Sequence, residues 1–184
     1  MRIRATCHGF LRLSVLATTS AFMVACQSPV ERGKYLVTIT GCNDCHTTKK
    51  IGPNGPEPDM SKMLAGHPED FKLPAPPNTS PDAPWAIVTT PTLTAWSGPW
   101  GVSFAANLTP DQNTGLGIWT EEMFINAMRK GKHMGTSRPI LPPMPWQDIA
   151  AMSDADLKAM FAYLRTIPPI VNHVPDPIPP ADIR

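Results

Sequence analysis

The chain has 184 residues, with 16 basic and 15 acidic side chains and a formal net charge of +1. Hydrophobic residues at 42% and charged residues at 17% supply one packed core and argue against disorder, and no basic patch marks a nucleic-acid surface. Proline is the outlier, at 23 residues where average usage is about 5%; with 12 glycines and no G-x-y period, this excludes collagen and points to long ordered loops.

In chain order, Arg2, Arg4 and Arg12 precede an apolar run from Leu13 to Ala25 that holds no acidic residue. A positive segment followed by a short apolar one has the form of a secretory signal. It is shorter than the ~20 residues a helix needs to span hydrocarbon. Residues 1–25 are expected to be removed, leaving a domain over 26–172 and a proline-rich tail over 173–184. Met23-Val24-Ala25-Cys26 resembles a bacterial lipobox, although Met23 stands where leucine is usual. That resemblance implies lipid on Cys26, export to the periplasm and anchoring to a bacterial membrane. Ordinary cleavage near Thr19-Ser20-Ala21 is the alternative. Gln27 stands where an aspartate would signal inner-membrane retention, which leaves the outer membrane open.

Ser28-Pro29-Val30-Glu31 combines an N-cap serine, proline at the first helical position and glutamate three residues after the serine. It predicts a helix from there to about Thr40, stopped by Gly41, which delivers Cys42 just past its end. Cys42-Asn43-Asp44-Cys45-His46 is then C-x-x-C-H, the attachment pattern of c-type haem. Cysteines at i and i+3 share one face of a helical turn, so both thiols reach one porphyrin edge while the next residue, His46, turns beneath the ring to bind iron. Structural zinc needs about four ligands, and His67, His133 and His173 are scattered. A thioredoxin-like pair wants a βαβ pattern that is not visible, and a plain disulfide leaves His46 without a role. The chemistry expected is one covalent haem c.

Residues 74–100 hold Trp85, Trp96, Trp100 and many prolines, and read as an ordered insert in the surface, packed as a loop or covering a haem edge. A second helix is predicted from Thr120, with Glu121 and Glu122 in its first turn and Arg129-Lys130-Gly131 at its end. Then comes Leu141-Pro142-Pro143-Met144-Pro145-Trp146, where three prolines restrict the backbone around one thioether. Met144 is the first candidate for the sixth iron ligand, Met134 the second and His133 the third. Met123, Met128, Met152 and Met160 are read as core fillers. A third helix starts at Ser153, with Asp156 as reciprocal cap and an apolar stripe of Leu157, Met160, Phe161 and Leu164. Pro168-Pro169 end it, and the chain beyond is expected to run extended. No stretch shows convincing β alternation, so the expected fold class is mostly α.

This arrangement resembles class I cytochrome c. The resemblance implies an N-terminal helix crossing the C-terminal one near the haem edge, with long haem-wrapping loops between them. Gly33 matches the small residue of that crossing, with Phe161 and Tyr163 as the aromatics to meet it. It implies further that Met144 ligates iron, since the family's methionine comes from this loop. It implies that a proline carbonyl after the motif, at Pro53 or alternatively Pro56, accepts from the ring of His46. Trp119 is similar to a tryptophan whose N–H reaches a haem propionate, with plain packing as the alternative, and Arg138 is a further candidate there. Asn107-Leu108-Thr109-Pro110-Asp111 with Thr114-Gly115-Leu116-Gly117-Ile118-Trp119-Thr120, and the last helix with Pro168-Pro169, resemble cytochrome c subunits of bacterial alcohol and aldehyde dehydrogenases. The function implied is single-electron transfer between Fe(II) and Fe(III), with a thioether that favours Fe(II) and fills the site where a substrate would bind. That is an electron carrier rather than an enzyme, with redox proteins, among them a dehydrogenase, as partners. A haem-based sensor with an open or labile sixth position is the alternative, and an electron-accepting dehydrogenase subunit the third reading.

Overall fold

The computed structural model describes residues 27–76 and 87–180. The expected signal segment, Cys26 and Trp85 lie outside them. Helix α1 spans Pro29–Ile39. Its start is the capping box: Ser28 Oγ accepts from Glu31 N–H, and the Glu31 carboxylate accepts from Ser28 N–H at 3.1 Å. Gly41 ends it in the left-handed region at φ 68°, and α2 (Cys42–His46) follows at once.

Helix α3 (Glu121–Lys130) is capped by Thr120 and closed by Gly131 at φ 61°. Helix α5 (Asp154–Leu164) is capped by Ser153, whose Oγ accepts from Asp156 N–H. The Asp156 carboxylate does not complete the cap as expected; its ion pair is instead with Arg32 of α1, at 2.9 Å. A short helix α4 (Trp146–Ala150) packs against α3 and carries the chain out of the Met144 loop.

Helices α1 and α5 form the main packing pair. Gly33 makes their approach possible: a Cβ there would lie 1.8 Å from the Ala159 carbonyl oxygen and 2.8 Å from Tyr163 Cβ. Tyr163 therefore meets the glycine as expected. Phe161 does not; it is buried on another face, with its ring 5.4 Å from that of Phe124. Around this crossing lie Leu36, Val37, Leu64, Leu157, Met160 and Leu164, all buried. Met128 and Met160 are core residues, and Met152 packs against the core.

The expectation of a mostly α fold is too strong. Strands β1 (Lys49–Gly52) and β2 (Gly55–Pro58) form an antiparallel hairpin directly after α2. Strands β3 (Val88–Thr89), β4 (Ala95–Gly98) and β5 (Gly101–Phe104) form an antiparallel sheet in the order β3-β4-β5. Within the described part of the 74–100 segment, β3 and β4 are strand and the rest is turn and irregular chain, so a loop carrying two short strands stands where a loop alone is expected. Its hydrogen bonds run across strands whose buried side chains are as small as Ala95, Ser97 and Ser103, so hydrophobic patterning does not announce them. Among the described residues, no helix is long and apolar enough to cross a membrane.

Candidate haem site

Helix α1 delivers the motif as its caps require. Thr40 takes the C-cap, and Gly41 turns the chain so that Cys42, Cys45 and His46 face one cavity of about 850 Å³. Both cysteines are free thiols. Burial pushes each thiol's pKa above its ordinary value, and the Asp44 carboxylate adds to the rise at Cys45. Thr40 Oγ1 sits 3.3 Å from Cys42 Sγ. The turn itself is braced by Thr47, whose hydroxyl donates to Asn43 Oδ1 at 2.7 Å and accepts from Leu64 N–H at 2.9 Å.

His46 is buried, and its Nδ1 lies 2.7 Å from the carbonyl oxygen of Ala106. A carbonyl only accepts, so Nδ1 carries the proton and Nε2 holds the free lone pair. Burial lowers the pKa of the imidazole, with the Ala106 bond working against that, and so favours the neutral, ligating form. This bond corrects the expectation for Pro53. Pro53 lies in the exposed turn between β1 and β2, and Pro56 in exposed β2. The acceptor comes from a segment 60 residues away in sequence.

That segment is held by a polar network. Asn107, next to Ala106, accepts from Thr109 N–H and donates to Thr114 Oγ1 and the Ile170 carbonyl. Gly66 N–H donates to the His46 carbonyl at 2.8 Å, and His67 N–H to that of Ala105 at 2.9 Å. The proximal histidine is thus clamped at ring and backbone, as ligand-orienting partners do in metal sites. Nothing in the sequence marks the Ala106 carbonyl as the acceptor or Asn107 as the residue that holds it. The resemblance at Asn107-Leu108-Thr109 is the available signal.

Met144 also lines this cavity, half-buried and packed on the helical core. Its loop is tied at several points. Ile140 N–H donates to the Gly131 carbonyl, Ser103 Oγ of β5 donates to the Pro142 carbonyl at 2.6 Å, and Trp146 N–H donates to the Met144 carbonyl. The Trp146 ring covers Gly131, where a Cβ would lie 2.4 Å from it. Ser103 is a positioning residue that the sequence does not reveal. His133 and Met134, the other ligand candidates, line the same cavity, with Met134 in the left-handed region at φ 53°.

Trp119 lines the cavity too and meets the His133 ring edge-on, with centroids 5.1 Å apart. Arg138 is an exposed residue at the same wall. His67 is elsewhere, fully buried with Nδ1 2.9 Å from Thr94 Oγ1. Among the described residues no three His, Cys, Asp or Glu side chains gather in a group that could hold a metal ion.

The donor set fits haem c. Two unpaired thiols at i and i+3, one neutral imidazole with a free Nε2 and one thioether share a mainly apolar cavity of cofactor size, roughly 300–1,000 Å³.

The model of the cytochrome c family matches residues 30–168, and the chain belongs to that family. Membership carries covalently bound haem c and an electron-transfer role. Over 158 residues, 84% of this chain and 25% of the other, it is 27% identical to the alcohol dehydrogenase (quinone) cytochrome c subunit of Gluconobacter oxydans. Over 137 residues, 74% of this chain and 21% of the other, it is 27% identical to the fructose dehydrogenase cytochrome subunit of Gluconobacter japonicus. Over 134 residues, 73% of this chain and 22% of the other, it is 28% identical to the gluconate 2-dehydrogenase cytochrome c subunit of Pantoea cypripedii. The chain spans a quarter or less of the length of these relatives.

Proposed function

We propose that this chain is a monohaem electron carrier with His46 and Met144 as axial ligands, working beside an exported dehydrogenase. The observation that carries this reading is the convergence of the Cys42 and Cys45 thiols, the His46 ring and the Met144 thioether on one cavity. When bound, haem c supplies a one-electron Fe(II)/Fe(III) couple. The residues do the rest. Cys42 and Cys45 would tether the group as thioethers, so it is not lost during exchange of partners. His46 is held in one tautomer and one orientation by the Ala106 carbonyl. Met144 presents a soft, neutral sulfur that favours Fe(II) and raises the potential. With His46 and Met144 both holding the iron, no position would be left for a substrate, and the chemistry supplied would be exchange of single electrons with no group transferred.

The names of the relatives support a dehydrogenase as donor, since each is a dehydrogenase subunit. A second C-x-x-C-H motif does not occur in this sequence, which supports a single haem. Lipid on Cys26, with α1 starting at Pro29, leaves almost no linker and would hold the domain against a bilayer outside the cytoplasm.

The test is attachment. Purified wild type should retain its haem through acid–acetone extraction, and Cys42→Ala plus Cys45→Ala should release whatever haem it binds. A wild type that carries zinc and no haem would end this reading.

A further inference from the structure

The chain beyond the matched span, residues 170–178, folds back over the haem cavity. Asn172 is buried and joins separate segments. Its Nδ2 donates to the carbonyls of Ala65 at 2.7 Å and His67 at 2.8 Å. Its Oδ1 accepts from Glu69 N–H at 2.9 Å, and its own N–H donates to Thr114 Oγ1 at 3.1 Å. His173 N–H then donates to the Glu69 carboxylate at 2.8 Å.

The second pin lies at Ile178, which pairs with Val102 of β5 through two backbone bonds of 2.8 and 2.9 Å. Gly101 permits this approach: it sits at φ 100°, and a Cβ there would lie 2.0 Å from the Ile178 carbonyl oxygen. Between the pins the backbone is neither helix nor ladder strand. Yet His173, Val174, Asp176 and Pro177 line the same cavity as Cys42, His46 and Met144.

A chain without regular structure has no hydrogen bonds of its own to fix it, so its position comes from the pins. A buried asparagine bonded to two segments of the haem-wrapping loops, 65–69 and Thr114, costs much to leave unpaired. Residues Ala65 and His67 flank Gly66, which donates to the His46 carbonyl. The pin therefore acts on the same backbone that clamps the proximal histidine.

We propose that residues 172–178 are a strap that completes the haem crevice, with Asn172 as its positioning residue, and that the strap raises the haem potential by excluding water. This rests on the haem reading above. Fe(III) haem carries one more positive charge than Fe(II) haem, and water stabilises that charge. A covered cavity therefore favours the reduced state, as burial does in haem and iron–sulfur sites.

The experiment uses the full-length holoprotein and two variants. Ile178→Pro removes the N–H that donates to Val102 and touches nothing inside the cavity; Asn172→Ala removes the other pin. Both should keep covalent haem in wild-type ratio, since Cys42 and Cys45 lie elsewhere. Both should show a lower midpoint potential and a larger shift of the main haem absorption band when ethylene glycol is added. Ile178→Val, which keeps the N–H, should keep wild-type values. In wild type, hydrogen exchange should find the amides of Asn172, His173 and Ile178 protected. The proposal fails if either variant has wild-type potential and wild-type solvent sensitivity, or if those three amides exchange at once in wild type. Absence of haem from wild type would sink the haem reading instead, and would be seen before any variant is compared.

Discussion

Replacing Gly33 by alanine tests the helix crossing that underlies the site. An added Cβ would stand 1.8 Å from the Ala159 carbonyl oxygen, a backbone atom with no side-chain freedom to yield. Contacts under 3.0 Å are essentially never tolerated, so α1 and α5 must part by at least about 1.2 Å. Overpacking of this kind costs about 1–3 kcal/mol. The substitution also removes a glycine from a helix interior, which by itself favours folding by roughly 1 kcal/mol. The crossing is rigid on both sides, so the clash should win. A clash against rigid backbone takes the upper end of that range, so the expected net loss is about 2 kcal/mol, a fall of roughly 4–8 °C in Tm for a chain of this size. Urea unfolding of the holoprotein, followed by circular dichroism, should show a lower midpoint with an unchanged slope. A Gly33→Ala protein as stable as wild type, or more stable, would refute the close crossing and leave Gly33 as an ordinary weak helix position.

Two other outcomes follow. The buried His67 ring has its pKa lowered, chiefly by burial, with the Phe71 carbonyl acting in the opposite sense. The folded protein then binds fewer protons there than the unfolded chain below pH ~6.5, so stability is full above that value and falls as pH drops through it; urea midpoints from about pH 7.5 to 5.5 should fall, and the fall should be shallower in His67→Gln. Cys26→Ser should move the protein from the membrane to the soluble fraction, and mass spectrometry of the wild type should show a lipid-bearing N-terminus; an unmodified one would remove the anchor.

The parts of the fold legible in the sequence are those governed by neighbours along the chain. The Ser28–Glu31 box, the Thr120 and Ser153 caps and the Gly131 stop all stand where the sequence places them, because a cap needs only the next few residues. The C-x-x-C-H turn is legible for the same reason. The hairpin β1–β2 escapes a search for alternation because Ile51, its one large apolar residue, is 80% exposed; the better signal is the run of turn residues Gly52-Pro53-Asn54-Gly55 at its tip. Strands β4 and β5 bury alanine, serine and valine, too small a pattern to stand out.

Contacts set by tertiary approach are the least legible. The acceptor for His46 is a peptide carbonyl, which every residue has, so nothing at Ala106 announces it, and the resemblance points to Pro53 instead. Asp156 looks like a local cap and has a partner in Arg32, 124 residues away. Asn172 lies at the boundary drawn between domain and tail, yet its side chain reaches Ala65 and His67.

The central claim is that Met144 completes the coordination of a haem held by His46, and one measurement bears on it most directly: the spectrum of oxidised and of reduced, carbon monoxide-treated protein, for wild type, Met144→Ala and Met134→Ala. Oxidised wild type should show the weak sulfur-to-iron charge-transfer band at the red end of the visible range, and the reduced form should bind carbon monoxide poorly. Met144→Ala should lose the band, bind carbon monoxide readily and have a lower potential, while Met134→Ala should match wild type in all three. Control of the band by Met134 would contradict the ligand assignment and leave the carrier standing. A wild type without the band that takes up carbon monoxide as readily as Met144→Ala would contradict the carrier itself and leave a haem with an open sixth position.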